Sequence, residues 1–515
     1  MGGVLLLGAS SLVGCRTSSD DVERWASTAQ GPSKLIAVLT HDKYPLELRV
    51  ESALTLVRMK PRSGRRVGIE ELLSALGDLA PAERGKLMAQ LVPQLLAEMM
   101  KPLPKAQKGQ PHALDPSYPY KDAAFALLTT GDGGLVTDDG LRVQIRKALS
   151  DWVIADFADR MDESTQMYGV EQVLRALGTE GVARLPDLMV PSAKKVDRMA
   201  SLVAELGDDA TKQRASAQLV AIAKEVDSQH WVDQTKPGVE AANERSKLHP
   251  TPEQLKAQLE QYQEEELLRV FGSLKRVGGD AARQYLVAYA QNKDNALKRR
   301  VASLAALEGH LDKNNAKDLE VIFGLASAAD TPDDLRDIAL LRIGELPRAV
   351  AVERLYALFD NENWKIRWVA ADLLLKMSDT SHIAEFMTKL CRVRNQSLAE
   401  PTQYGLRMSE MKGKPQAAID GYLASGHCVQ DRLVALGYYF AAGNSAQLSK
   451  VAPYENDREK TPKCKDDAQG CEWKCVVGEG KDQQVKDVTT VGEFVQYCVE
   501  PAMKKRAPDA KAPTK

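Results

Sequence analysis

Several kinds of residue are scarce in this sequence, and each scarcity narrows the class of protein. Aromatic residues make up only 5% of the 515 positions while 44% are hydrophobic, a balance typical of packed helices rather than of a β-sandwich. The 69 basic and 71 acidic residues leave a net charge of −2, so there is no basic excess of the kind that binds nucleic acid. No apolar run reaches the roughly 20 residues that span a bilayer as a helix.

Motifs that carry catalysis are also missing from the sequence. It has no H-E-x-x-H pair, no P-loop, no G-x-S-x-G elbow and no G-x-G-x-x-G turn after a strand. The adjacent His427 and Cys428 do not predict a nucleophile, because catalytic Cys and His are neighbours in space rather than in sequence. The histidines are scattered without metal-like spacing: His41, His112, His230, His249, His310, His382 and His427. We therefore expect no catalytic residues, no metal site and no cofactor.

Cysteine is missing between residues 16 and 390 and then becomes frequent. The cysteines after this gap are Cys391, Cys428, Cys464, Cys471, Cys475 and Cys498. An even, clustered set of this kind is typical of a disulfide-linked module in an exported protein. We expect Cys391 to pair with Cys428 and the other four to pair among themselves. The alternative is a zinc site on the last four, although only Cys471 and Cys475 have the close spacing of zinc ligands.

Amphipathic helix is what the sequence has in abundance. Apolar residues recur at helical spacing in a segment containing Leu35 and Leu39 and, after a turn over residues 40–45, in a second segment from Leu46 to Val57. The pattern is clearest in residues 352–377, where an apolar stripe about 100° wide begins at Ile366. Similar pairs occupy residues 285–311 and 319–346. The sequence therefore predicts a repeat of helical hairpins.

A charged pattern accompanies these hairpins. Arg214, Arg299, Arg336 and Arg367 are each followed three residues later by alanine, and an Asp or Asn often lies six or seven residues before the arginine. Over residues 33–385 this pattern resembles HEAT repeats, which implies an all-α fold, an α-solenoid of stacked hairpins. The resemblance also implies that arginines and turn residues of successive repeats form a ladder. Its candidate members are Asp42, Arg49, Arg214, Asn292, Arg299, Arg336, Asp360 and Arg367.

We expect two sets of repeats, over residues 34–250 and 251–390. Five prolines in residues 101–120 predict an irregular insertion in the first set, and the polar residues 227–252, with Pro237, predict a loop or hinge before the second. Thr251-Pro252-Glu253-Gln254 predicts an N-cap and a helix to about Val277. Residues 391–503 would form a small disulfide-rich cap on the solenoid, and residues 504–515 a disordered tail.

The N-terminal segment resembles the signal of a bacterial lipoprotein. An apolar run ends in Leu12-Val13-Gly14-Cys15, with a small residue directly before the cysteine. The resemblance implies that residues 1–14 are removed, that Cys15 carries a lipid, and that residues 15–33 are a flexible tether. Arg16 follows Cys15 in place of Asp, which implies the outer membrane, at its periplasmic face or at the cell surface. Because no Lys or Arg precedes the run, an apolar terminus with an incidental cysteine is the alternative.

Together these features predict a membrane-anchored, non-enzymatic scaffold that binds a protein partner of the cell envelope through its solenoid surface. Trp364 and Trp368 lie one helical turn apart, and either form an exposed recognition patch or, as we favour, pack between repeats. The alternative function is an envelope ligand-binding protein or enzyme with its site in the Cys-rich C-terminal module. A cytosolic adaptor with a zinc-bound module is a third possibility.

Overall fold

The computed structural model describes residues 17–102, 115–161, 166–394, 397–411, 413, 415–423, 427–463, 473–478 and 483–507. The predicted all-α fold of successive helical hairpins is confirmed in these residues. The chain divides into two compact units, Met1–Glu225 and Val226–Lys515. Among the described residues, none of the helices has both the length and the apolar character needed to cross a membrane.

The first unit contains the helices α1 (Ser19–Trp25), α2 (Gly31–Thr40), α3 (Leu46–Arg58), α4 (Val67–Asp78), α5 (Pro81–Met99), α6 (Tyr118–Thr129), α7 (Asp139–Ile154), α8 (Phe157–Met161), α9 (Val170–Leu177), α10 (Thr179–Val182), α11 (Leu185–Leu188), α12 (Val196–Leu206) and α13 (Asp209–Val226). Helix α13 ends one residue past the boundary of this unit. Helix α2 packs on both α3 and α4, and α5 packs on α6 and α7, so each hairpin covers the apolar stripe of the next one.

The second unit contains α14 (Gln229–Arg245), α15 (Pro252–Val277), α16 (Asp280–Gln291), α17 (Leu297–Ala305), α18 (Ala316–Ser327), α19 (Asp333–Ile343), α20 (Arg348–Ala357), α21 (Trp364–Lys376), α22 (Ile383–Leu390), α23 (Ala399–Ser409), α24 (Gln416–Asp420), α25 (Val429–Ala442), α26 (Leu448–Val451), α27 (Val491–Phe494) and α28 (Glu500–Lys504). Strands β1 (Lys474–Val477) and β2 (Gln484–Asp487) pair antiparallel, and a π-helical turn (Val495–Val499) joins α27 to α28.

Helical hairpins form at the predicted places because apolar stripes and turns act locally, although their ends differ by several residues, as in α16 and α17 (residues 280–305 against the predicted 285–311). In α2, Leu35, Val38 and Leu39 are buried, and the turn after them leads into α3. Thr251 caps α15 together with Gln254 in a capping box, and the helix runs from Pro252 to Val277 as predicted.

The tether predicted over residues 15–33 is wrong for its described part. Residues 19–25 form α1, whose start is capped by Ser18 and Asp21 in a capping box. Val22 is completely buried, and α1 packs on α2 and α3. A single apolar residue on one face is enough to dock this short helix because its first turn is already capped. Cys15 lies outside the described residues.

Two proline-containing segments are more helical than predicted. Residues 103–114 lie outside the described part, but α6 begins at Tyr118 with Pro119 in its first turn, where a proline removes no helical hydrogen bond. Pro237 lies inside α14 in the segment expected to be a loop. Helix α14 persists because Ser228 caps its start and because Asn243 Nδ2 donates to Gln258 Oε1 of α15 at 3.0 Å.

The C-terminal region combines helices with the short β1–β2 pair. Phe440 of α25, Trp473 and Phe494 of α27 form an aromatic cluster with ring centroids 5.6–6.3 Å apart, which attaches the strand region to the helices. The predicted disordered tail is wrong for residues 504–507, since Lys504 ends α28 and Arg506 donates to Gly443 O at 2.8 Å. The tail beyond residue 507 lies outside the described residues.

Candidate interaction site

A buried arginine occupies the fourth position of several second helices, and this is the most regular polar feature of the fold. These arginines are between 4% and 9% exposed: Arg49 in α3, Arg300 in α17, Arg336 in α19, Arg367 in α21 and Arg432 in α25. Each guanidinium donates to backbone carbonyls just upstream of its helix. They satisfy acceptors at helix ends and turns that would otherwise be buried without a partner.

Two of these contacts are geometrically equivalent. Arg49 Nε donates to Leu39 O and Arg300 Nε to Ala290 O, both at 2.8 Å and both across ten residues of sequence. The acceptors lie near the ends of α2 and α16, the first helices of the two hairpins. The same bond therefore closes two separate hairpins, one in each unit.

Two adjacent arginines of α17 have different partners. Arg299, a predicted ladder residue, forms an ion pair with Asp227 at 2.7 Å and donates to Gln263 Oε1 at 3.2 Å, so it contacts residues that precede its own hairpin. Arg300 is the residue that enters the hairpin. One residue of helix is a rotation of about 100°, so neighbouring arginines face different partners. The fourth helical position distinguishes Arg300 once the structure shows that α17 begins at Leu297.

The turn residues of the predicted ladder have local partners. Asp42 is exposed and lies 3.1 Å from His41 Nδ1, whereas the ion-pair partner of Arg49 is Glu83 at 3.5 Å. Asn292 Oδ1 accepts the N–H of Asp294 at 3.1 Å within its own turn.

Contacts between repeats do occur, with a separation of about one repeat. Asp360 Oδ1 accepts the N–H of Arg394 at 3.1 Å, and Arg214 lies 3.1 Å from Asp187, both between repeats. Like the Arg299–Asp227 ion pair, each of these contacts joins one predicted ladder residue to a residue outside the predicted set.

Arg367 makes the strongest of these contacts. Its Nε and Nη2 donate to the two carboxylate oxygens of Glu400 at 2.9 and 2.7 Å, and both side chains are buried. Glu400 lies at the start of α23, 33 residues away, and also accepts from the Tyr404 hydroxyl at 3.4 Å. Burial, followed by the negative charge of Glu400, raises the pKa of Tyr404. A bidentate buried pair fixes the angle between two hairpins and leaves no free group for a ligand.

A second buried charged cluster lies in the first unit. Lys121 Nζ donates to Asp122 Oδ1 at 2.6 Å and Gln166 Oε1 at 3.1 Å, and Arg66 Nε lies 3.1 Å from Asp122 Oδ2. Burial lowers the pKa of the Lys121 ammonium group. Asp122 also accepts the backbone N–H of Tyr168 at 3.1 Å, so the cluster holds residues 166–168 on α6. The sequence pattern did not indicate this charged cluster, because helix α6 begins inside the segment that was expected to be irregular.

The surface feature best suited to a partner is a cleft of about 520 Å³ in the second unit, here called the Trp364 cleft. It is lined by Ser327, Ala329, Arg336, Asn361, Glu362, Asn363, Trp364, Lys365 and Ile366. Trp364 and Trp368 are half-buried, with ring centroids 6.3 Å apart and nearly perpendicular. The two tryptophans are therefore neither fully packed between repeats nor fully exposed.

A second groove, of about 480 Å³, lies between α14 and α15. Gly238, Val239 and Ala242 line one side, and Gln258, Tyr262 and Glu265 line the other. The Tyr262 ring is exposed. The lining of this groove has one charged side chain, Glu265, whereas the Trp364 cleft has Arg336, Glu362 and Lys365, so the groove offers less charge for recognition.

The described cysteines are oxidised. Cys391 pairs with Cys428, which is the pairing expected from the sequence, and Cys475 pairs with Cys498. Their Cα atoms are 5.7 and 5.5 Å apart, within the range of protein disulfides. Cys464 and Cys471 lie outside the described residues. The zinc alternative requires four free thiolates, and this structure commits two of the four to a disulfide.

No protein-family model matches the sequence, and no curated protein is similar to it. Among solved structures the chain is similar to Kap121p (13% identity, TM-score 0.27, 84% of this chain and 43% of that chain). It is also similar to Kap121p bound to Nup53p (12%, 0.26, 85% and 43%) and to importin beta in an ammonium sulfate condition (11%, 0.23, 85% and 60%). The chain thus spans less than half the length of Kap121p. At these TM-scores the fold assignment rests on the helical hairpins described above.

Proposed function

We propose that this protein is a scaffold that binds another protein of the bacterial cell envelope through the Trp364 cleft and performs no chemistry at that cleft. The observation that carries the proposal is a half-buried tryptophan pair beside an open cleft with charged residues at its rim. Tryptophan and arginine dominate the binding energy of protein interfaces, and charged side chains typically form the rim. Solenoids of helical hairpins present extended surfaces of this kind.

The proposal includes a membrane anchor. Leu12-Val13-Gly14-Cys15 supports lipid attachment at Cys15 and placement at the outer membrane, facing the periplasm or the cell surface. The two disulfides support an oxidising compartment. A lipid on Cys15 would be the single covalent group, with no other cofactor.

Photocrosslinking in intact cells tests the cleft. Lys365 is replaced by a photoreactive benzoylphenylalanine, and Lys376, at the far end of the same helix and equally exposed (63% and 64% of the side chain), is the matched control. We expect one discrete protein adduct from position 365 and none from 376. The adduct partner is then purified, and Trp364→Ala is expected to weaken its binding at least tenfold. Equal adducts at both positions, or an unchanged affinity of the variant, would contradict the proposal.

Intact-mass analysis of the protein extracted from membranes tests the anchor. We expect loss of residues 1–14 and a diacyl or triacyl addition on Cys15, together with a six-proton deficit for three disulfides. Cys15→Ala should move the protein into the aqueous fraction. An unmodified Met1 in membrane-extracted protein would remove the basis for the anchor without affecting the crosslinking result.

A further inference from the structure

The Cys391–Cys428 disulfide lies at the N-terminus of α25 and beside a buried acidic residue, Asp431. A disulfide that only cross-links the chain requires neither feature. Cys428 is the N-cap of α25, and its sulfur accepts the backbone N–H of Asp431 at 3.4 Å. Both cysteines are half-buried rather than sealed in the core. A sulfur at a helix N-terminus, with a backbone N–H directed at it, is stabilised as a thiolate. Reduction of this disulfide would therefore leave Cys428 as a half-buried thiol whose N-cap position favours the thiolate.

Asp431 is a buried acidic residue next to this disulfide. Its side chain is 3% exposed, and its Oδ1 atom is buried without a hydrogen-bond partner. A carboxylate oxygen of Asp431 and the two sulfurs lie within 4.8 Å of one another. A buried carboxylate oxygen without a hydrogen-bond partner lowers the stability of the folded protein. Its position beside two sulfurs therefore indicates a chemical role.

His427 connects this buried carboxyl group to solvent. Its Nδ1 lies 3.6 Å from Asp431 Oδ2, its ring is partly exposed, and Tyr422 packs against that ring edge-on at 5.1 Å. Burial raises the pKa of Asp431 to about 6, against the opposing effect of His427. A carboxyl group in this range accepts and releases protons near neutral pH. The arrangement therefore has a thiolate site, a proton acceptor and a route for the proton.

We propose that Cys391 and Cys428 form a redox-active pair that exchanges electrons with dithiols or disulfides of other proteins, with Cys428 as the nucleophile and Asp431 as the proton acceptor for Cys391. This activity is independent of partner binding at the Trp364 cleft.

The thiol–disulfide exchange takes two steps, in which bonds, electrons and protons balance. In the reduced protein the Cys428 thiolate attacks a substrate disulfide, forms a mixed disulfide and releases one substrate thiolate, which takes a proton from solvent. The Cys391 thiol then gives its proton to Asp431 and attacks Cys428 Sγ, which reforms the Cys391–Cys428 bond and releases the second substrate thiolate. Two electrons pass to the substrate, and the proton on Asp431 leaves through His427. In the reverse direction a protein dithiol reduces the Cys391–Cys428 disulfide.

Redox titration of the full-length protein tests the assignment. The protein is equilibrated in mixtures of reduced and oxidised glutathione, trapped with a maleimide and analysed by peptide-resolved mass spectrometry, with Cys475–Cys498 as the internal comparison. We expect Cys391–Cys428 to be half-reduced at a reduced-to-oxidised ratio at least tenfold lower than Cys475–Cys498. If both disulfides stay oxidised until the protein unfolds, or reduce together, the assignment is wrong.

Two further measurements examine the roles of individual residues. In Cys391→Ala, the pH dependence of alkylation by iodoacetamide should show a Cys428 thiol pKa below the usual value of about 8.5.

In Asp431→Asn, the reduced pair should reduce a small disulfide such as cystamine at least tenfold more slowly at pH 7, whereas the exposed Glu410→Gln in the same region should not change the rate. An ordinary Cys428 pKa would overturn the assignment even where Asp431→Asn fails to fold, and an unchanged rate in a folded Asp431→Asn would overturn the role of Asp431.

Discussion

Gly405 of α23 lies against the backbone of Gly437 of α25, and neither position has room for a methyl group. A Cβ atom at Gly405 would lie 2.8 Å from the carbonyl carbon of Gly437 and would overlap Val434 O. A Cβ atom at Gly437 would overlap Thr402 O in the same way. The two helices, 32 positions apart at these glycines, therefore pack backbone to backbone, which only glycine permits.

Gly405→Ala should therefore destabilise the protein by about 1–3 kcal/mol, because the helices must separate along their contact. Urea denaturation followed by circular dichroism measures this loss. Gly272→Ala in α15 is the matched control, since a Cβ atom there meets nothing within 4 Å. The control should be neutral or more stable by up to about 1 kcal/mol, through helix propensity alone. Equal stability of the two variants would contradict the close packing of α23 on α25.

The buried Arg367–Glu400 pair predicts that removing one of its two charges lowers the unfolding free energy more than removing both. Arg367→Met leaves the Glu400 carboxylate buried without its partner and should cost about 3–5 kcal/mol of unfolding free energy. The double variant Arg367→Met/Glu400→Met removes both charges and should lose less than Arg367→Met alone. Lys389→Met, which breaks the exposed pair with Glu353, should change stability by less than about 1 kcal/mol. A double variant as unstable as the sum of its single changes would show that the two residues are not coupled.

The two adjacent arginines of α17 should differ in their contribution to stability. Arg300→Ala removes a buried charged donor to Ala290 O and should cost about 1.5–3 kcal/mol. Arg299→Ala removes a less buried ion pair with Asp227 and should cost less. Lys298→Ala, at an exposed position beside them, should be close to neutral. Thermal unfolding of the three variants ranks them, and a larger loss for Arg299→Ala than for Arg300→Ala would contradict this order.

The raised pKa of Asp431 predicts that stability falls between about pH 4 and 6. Burial raises this pKa to about 6, whereas an unfolded Asp has a pKa near 3.9, so the native state holds a proton that the unfolded chain has lost. Unfolding free energy therefore decreases as pH rises through this window, by at most about 3 kcal/mol, and stays lower above it. Asp431→Asn should remove this part of the pH dependence. Urea denaturation of both proteins at pH 4 and pH 7 measures it, and parallel pH profiles would contradict the shifted pKa.

The sequence by itself determined the local structure. The apolar stripes of α2, α3 and α21, and the Thr251–Gln254 capping box of α15, act over one or two turns of helix and could be read without a structure. The clustered cysteines likewise indicated a cross-linked C-terminal region, and the Cys391–Cys428 pair agrees with that expectation. Where a local signal was weak, as for α1 with its single buried Val22, the assignment failed.

Only the tertiary structure decided which side chains meet across repeats. The choice between Arg299 and Arg300 depends on how α17 is rotated about its axis, and a change of one residue turns the side chain by about 100°. The Gly405–Gly437 approach and the position of Asp431 beside two sulfurs join segments that are 32 and 40 residues apart in sequence. Such contacts form when hairpins pack on one another, and local periodicity contains no information about that packing.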